Sequence, residues 1–202
     1  MRLDLEVISG WILPKARVLD LGCGSGDLLQ YLIREKNIEG VGIEKDGAKV
    51  ASCIEKGLAV LQGDINEEIR DYADDSYDYV VISQTLQQTA NPQELIHEAL
   101  RVGEKCIVSF PNFSHWKVRL SLFATGNAPI TSALPYEWYD TPNIRVITIR
   151  DFKRFLKKES LAILGETAAS VPAAGGVGRR VKCLTNLRAT HGMFLFGPKK
   201  SG

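Results

Sequence analysis

The chain has 202 residues, 45% of them hydrophobic and 24% charged, with a formal net charge of +1. That is the composition of a globular domain with one sizeable core, and no apolar run approaches the roughly 18 residues of a membrane span. Arg2, Asp4 and Glu6 stand where a signal peptide would be apolar, and Cys23, Cys53, Cys106 and Cys183 form no C-x-x-C pair, so the cytoplasm is the expected compartment and neither a zinc site nor a disulfide framework is expected.

Leu3 to Leu13 pairs Val7 with Trp11 and Ile8 with Ile12 at helical spacing, and Pro14 closes it. This helix is expected to cover the edge of the sheet. Val18 to Leu21 reads as a buried strand, and Asp27 to Lys36 as a helix with Leu28, Leu29, Leu32 and Ile33 on one face. Val41 to Glu44 is a second strand. Residues 46–56 form a helix with Val50, Cys53 and Ile54 inward and Gly57 as its C-terminal stop, and Leu58 to Leu61 is a third strand. Tyr77 to Ser83 and Cys106 to Phe110 are strands four and five, separated by a helix opening at Asn91-Pro92. Strands alternating with helices predict a doubly wound, mostly parallel α/β sheet, seven-stranded in all and forming a single domain over 1–202. Residues 111–148 interrupt the alternation with two tryptophans, two tyrosines and several prolines. A connection of that length is a lid, a substrate cap or a partner surface, or else a flap whose aromatics only pack onto the sheet. A helix over 151–161, N-capped by Thr148, precedes two final strands at 162–170 and 193–197, expected to be antiparallel. Residues 172–190 between them read as a mobile basic loop.

Charge is divided along the chain. Residues 1–112 hold 11 Lys or Arg against 19 Asp or Glu, a net of −8, while residues 113–202 hold 14 against 5, a net of +9. An acidic half that binds a cation and a basic half that meets an anion is one reading, and a solvated surface without functional meaning is the other. No basic and aromatic alternation marks a nucleic-acid platform.

Between the first strand and its helix stands Asp20-x-Gly22-x-Gly24-x-Gly26. Glycines there let backbone N–H groups approach a ligand without Cβ obstruction. A dinucleotide fingerprint would need a small residue where Asp27 stands, and a carboxylate in that turn suits a cation better than a pyrophosphate. The turn resembles motif I of the class I S-adenosylmethionine-dependent methyltransferases, whose cofactor carries a sulfonium and an ammonium. Glu44, 22 residues after Gly22, has the spacing of a ribose-binding carboxylate, or it serves as a helix N-terminal charge. Asp64 matches the acidic residue that hydrogen-bonds the adenine amino group in such enzymes, and it equally suits an N-cap. The cofactor set implied by the resemblance is Asp20, Gly22, Cys23, Gly24, Gly26, Glu44, Lys45, Asp64, Ile65 and Ser83, with S-adenosylmethionine or S-adenosylhomocysteine as ligand.

Later motifs narrow the resemblance. Ser83 to Gln87, Val108 to Phe113 with His115-Trp116, and Leu134-Pro135-Tyr136-x-Trp138-Tyr139-Asp140-Thr141-Pro142-Asn143-Ile144 are similar to the MetW family of methionine-biosynthesis proteins over about residues 1–160. The resemblance implies a role beside homoserine O-acyltransferase, as a partner or regulatory subunit docking through the 111–148 flap. An active methyltransferase on a small-molecule acceptor is the alternative, and a sheet that has lost its cofactor is a third reading that the intact glycines oppose. In the flap, His115 and Tyr136, with Glu137 and Tyr139, are the candidates for acceptor chemistry, His115 as a general base or as a packing residue.

Overall fold

A computed structural model describes residues 3–131, 134–171 and 178–199. After α1 (Leu3–Trp11) the chain alternates β1 (Arg17–Leu21), α2 (Asp27–Lys36), β2 (Glu39–Glu44), α3 (Gly47–Glu55), β3 (Ala59–Gln62) and the single turn α4 (Ile65–Glu68). Then come β4 (Tyr77–Ser83), α5 (Pro92–Val102), β5 (Gly103–Pro111), α6 (Trp116–Thr125), α7 (Ile149–Lys158), β6 (Leu161–Ser170), β7 (Arg179–Arg180), α8 (Thr185–Arg188) and β8 (His191–Pro198). The sheet order is β3-β2-β1-β4-β5-β8-β6-β7. The first five strands in that order are parallel, and β8 runs antiparallel between β5 and β6. The seven expected strands are thus joined by a two-residue eighth, β7, on the β6 edge.

Strand periodicity divides the core. Alternate residues of β1, β4, β5 and β8 point to opposite faces. Leu19, Val80, Val108 and Phe194 meet α5 and α7 through Ile96, Leu156 and Phe152. Val18, Val81, Ile107 and Leu195 meet α1 and α2 through Ile8 and Leu29. Because the chain winds outward from β1 to β3 and returns to β4 on the other side of β1, the topological switch point lies between β1 and β4, where open α/β sheets bind ligands.

Three expectations change. Helix α1 packs across the β6–β8 face and against α2, not over a sheet edge, because Gly165 of β6 leaves room for the Trp11 ring. Ile54 points to solvent, since the 3.6-residue period turns Val50 and Cys53 inward and carries Ile54 past the buried stripe. Of the predicted basic loop, residues 172–177 lie outside the described residues, but 178–190 hold β7 and α8.

Asn112, 2% exposed at the end of β5, explains the order of that last segment. Its Nδ2 donates to the carbonyls of Asn186 and Ala189 at 3.0 and 2.8 Å. Its Oδ1 accepts from the N–H of Ser114 at 3.2 Å and of Ile149 at 3.4 Å, and its own N–H donates to Thr190 O at 2.7 Å. One amide therefore joins the flap's start, α7's start and the α8 turn. Replacing Asn112 by Ala strands four backbone groups, three buried and that of Asn186 partly so, at about 2–4 kcal/mol in total. A fall in Tm of roughly 5–15 °C is expected by thermal unfolding; an unchanged Tm would remove Asn112 from this role.

Candidate functional site

A cleft of about 550 Å³ opens at the carboxyl ends of β1, β2 and β4. Nine of the ten residues nominated from the sequence line it: Asp20, Gly22, Cys23, Gly24, Glu44, Lys45, Asp64, Ile65 and Ser83. The tenth, Gly26, sits behind the wall, where an added Cβ would collide with Leu58 and Cys53. Gly24 shares the positive φ, at +58°, that disfavours other residues, but differs in that no atom lies within 4 Å of an added Cβ. A side chain at Gly24 would enter the cleft.

The turn is held from behind. Ile43 O accepts from the N–H groups of Gly22 at 2.8 Å and Cys23 at 3.1 Å. Glu44 Oε2 accepts from the Gly24 N–H, and Oε1 from the Asp46 N–H, both at 2.9 Å. Glu44 therefore uses one lone pair of each oxygen on the fold and has further acceptor capacity at the edge of the cleft that it lines. The Cys53 thiol reaches Gly24 O at 3.2 Å. Burial, with Asp20 nearby, pushes the Cys23 thiol well above its ordinary pKa, which favours the uncharged thiol.

Asp20 supplies the strongest electrostatic feature. It is 2% exposed, its Oδ1 has no hydrogen-bond partner, and burial, with a smaller contribution from Glu44, pushes its pKa up to about 7. A cation arriving in the cleft would favour the ionised form.

Asp27, read from the sequence as a carboxylate suited to the ligand's charge, lines the cleft and also meets Lys56 Nζ at 2.7 Å, which donates as well to Ser25 O. Its charge is answered within the protein. Asp64 caps α4, its Oδ1 accepting from the N–H of Asn66 at 3.0 Å and from the Asn66 side chain at 2.9 Å, while Oδ2 meets Lys45 Nζ at 3.1 Å. Those bonds hold its carboxyl below the usual range. Capping and cleft lining coexist in one side chain.

The far wall begins in the Ser83 to Gln87 stretch, quoted from the sequence as a motif, of which only Ser83 was nominated for the site. Gln84, Thr85, Gln88 and Thr89 line the cleft beyond β4. Gln84 adopts a φ of +57°, costly for a non-glycine residue. Its N–H donates to Ser109 O at 3.0 Å, and its carbonyl accepts from the Gln87 and Gln88 amides at 2.7 and 3.1 Å. Ser83 Oγ shares a 2.9 Å bond with Ser109 Oγ. The signal available was position, the residues immediately after a strand that ends at the switch point.

Neither flap candidate for acceptor chemistry faces this cleft. His115 caps α6, its Nδ1 accepting from the Lys117 N–H at 3.3 Å, and it lines a second cleft beyond β5. Burial, then the nearby Lys117, lowers its pKa. Tyr136 is 48% exposed and, like Glu137 and Tyr139, belongs to the protein surface. The flap instead reaches the first cleft through Ile144 and is anchored there by Arg145, whose N–H donates to Gln87 O at 3.0 Å and whose guanidinium bonds the carbonyls of Thr89 and Ala90.

The raised Asp20 pKa has a pH signature. Between the unfolded value near 4 and the folded value near 7 the native state holds the extra proton, so this group's contribution to stability is full below pH 4 and is lost as pH rises to 7. Asp20→Asn removes that loss. By urea denaturation the variant should gain about 2–3 kcal/mol on wild type between pH 5 and pH 8; a difference independent of pH would contradict the assignment.

Comparison with known proteins agrees with this architecture. The family profile described as "Methionine biosynthesis protein MetW" matches residues 2–196. A bifunctional methionine biosynthesis protein MetXA/MetW from Rhodopirellula baltica is 33% identical over 172 residues, which are 81% of this chain and 28% of that protein. The chain thus spans just over a quarter of that relative's length. Among solved structures, a possible histamine N-methyltransferase from Thermotoga maritima superposes with a TM-score of 0.68 at 15% identity, covering 98% of this chain and 88% of the other. A SAM-dependent methyltransferase from Archaeoglobus fulgidus gives 0.66 at 15% identity, covering 96% and 91%. Those two likenesses establish the fold as that of S-adenosylmethionine-dependent methyltransferases. The chain belongs to the MetW family of methionine biosynthesis proteins.

Proposed function

We propose that the chain binds S-adenosylmethionine and acts in methionine biosynthesis as a partner or regulatory subunit of homoserine O-acyltransferase. The observation that carries the binding half is the pairing of an open glycine turn with a buried, unpartnered Asp20 oxygen at the switch point. Backbone at Gly22 and Gly24 would lie along the ligand, Asp20 would answer its cationic amino-acid portion, the spare lone pairs of Glu44 would accept from ribose hydroxyls, and Asp64 with Ile65 would border the adenine. The bound molecule supplies an activated methyl group, or, in a regulatory subunit, a measure of the pathway's downstream product. A ligand shifts a complex only by its differential affinity for the states of that complex.

The Rhodopirellula baltica relative supports the partner half, because its single chain carries both a MetXA and a MetW name. Exposed apolar side chains support the flap as the docking surface. Phe123 is 91% exposed, Trp138 75% and Tyr139 71%, and large apolar groups left in water are characteristic of surfaces that bind other proteins.

Two experiments test the reading. The rate of homoserine acylation by the same organism's acyltransferase should rise on adding the chain and should respond to S-adenosylmethionine. Gly24→Val should lower S-adenosylmethionine affinity about a hundredfold or more by calorimetry and abolish that response. A rate indifferent to the chain would return an active methyltransferase to first place, and unchanged affinity in the valine variant would refute the cofactor site. Separately, Phe123→Ser with Trp138→Ser should weaken co-purification with the acyltransferase by tenfold or more, since buried aromatics dominate interface energetics. Retained association would move the docking surface elsewhere.

A further inference from the structure

Beyond β5 lies the second cleft, about 680 Å³ in volume, at the carboxyl ends of β5 and β6. Its charge is opposite to that of the first. Lys117 from the start of α6, Arg179 and Arg180 of β7, Lys182 from the link after β7 and Arg188 of α8 all line it, and among the described residues no Asp or Glu does. Among the described residues, none of the five cations is in an ion pair, whereas Arg101, Lys56 and Lys153 elsewhere all are. Residues 172–177, outside the described part, contain no acidic residue in sequence either.

Five unneutralised cations around one concavity repel one another, and the fold brings them together deliberately. Residues 117 and 179–188 are distant in sequence, yet Asn112 holds the carbonyls of Asn186 and Ala189, and the Asn186 amide donates to Ser114 Oγ at 3.0 Å. β7 is pinned separately by its antiparallel pairing with Ala169 and Ser170. The cations are therefore mounted on fixed backbone from several elements, and a volume of this size is that of a small-molecule pocket rather than of a flat protein contact.

We propose that this cleft is a binding site for a small, multiply charged anion of the phosphate-ester class. Guanidinium groups match the paired oxygens of phosphoryl groups, Arg188 and one of the alternating pair Arg179 and Arg180 can present theirs to the same anion, and Lys117 and Lys182 add point charge; all five cations are exposed, so the attraction weakens with added salt. The site is independent of the glycine-turn cleft, so a failure of either assignment leaves the other standing.

Inorganic tripolyphosphate is the probe, titrated calorimetrically into the intact chain at 0.15 M NaCl. Saturable binding of one equivalent is expected. Arg179→Gln with Arg180→Gln should weaken it at least tenfold, and Lys182→Gln with Arg188→Gln, on a different element, should do the same. Lys157→Gln with Lys158→Gln, which removes equal charge from α7, and Gly24→Val should leave it within twofold. Absence of saturable binding, or an equal loss in the α7 control, would overturn the proposal, as would binding of polyglutamate in place of tripolyphosphate, which would mark the cleft as a docking surface for an acidic protein.

Discussion

The turn after β1 can face a ligand only because its own hydrogen bonds are satisfied from behind. Ile43 O takes two of its N–H groups and Glu44 takes a third, so the end of β2 holds the loop at a fixed height above the sheet. The parallel register of Leu21 with Ile43 aligns those acceptors. Everything else at the cleft depends on this tie, including the positive φ of the glycines, the empty space beside Gly24 and the burial of Asp20 beneath it. Glu44 thus braces the loop while lining the cleft itself.

Asn112 plays the matching part at the other end of the sheet. A buried amide with every polar atom paired specifies where three separate segments meet, and the cost of leaving any of those groups unpaired makes the arrangement strongly preferred over alternatives. The two braces stand at the same carboxyl-terminal edge, one under an acidic cleft and the other beside a basic one. Four of the 19 acidic residues of the first half line the one cleft and five of the 14 basic residues of the second half line the other; the remaining charges lie elsewhere.

Charge counted along a sequence does not say which charges remain available. Asp27 sits in the glycine turn yet is answered by Lys56, and Asp64 spends most of its capacity on Asn66 and Lys45. Asp20, buried and short of a partner, holds the cleft's unanswered acceptor. The flap follows the same logic in apolar terms. Its composition left a lid, a cap, a partner surface or mere packing open; Phe123 and Trp138 face water, against the packing reading, and among the described flap residues Ile144 lines the first cleft.

Local pattern was enough for the sheet, because strand and helix periods are properties of neighbouring residues and because a glycine turn between a strand and a helix has few conformations open to it. The five parallel strands, the antiparallel final pair and the N-cap at Thr148 were legible on that basis, while the resemblance supplied nine of the lining residues and the strand order came from the structure. Tertiary structure alone decided what depends on groups far apart in sequence. The Asp27 pairing spans 29 residues and the Asn112 bonds to the α8 segment span 74 and 77. Whether His115 faced the first cleft or the second, and whether 178–190 was loop or structure, turned on those long-range partners, because a polar side chain takes the role that its burial and its hydrogen bonds leave open.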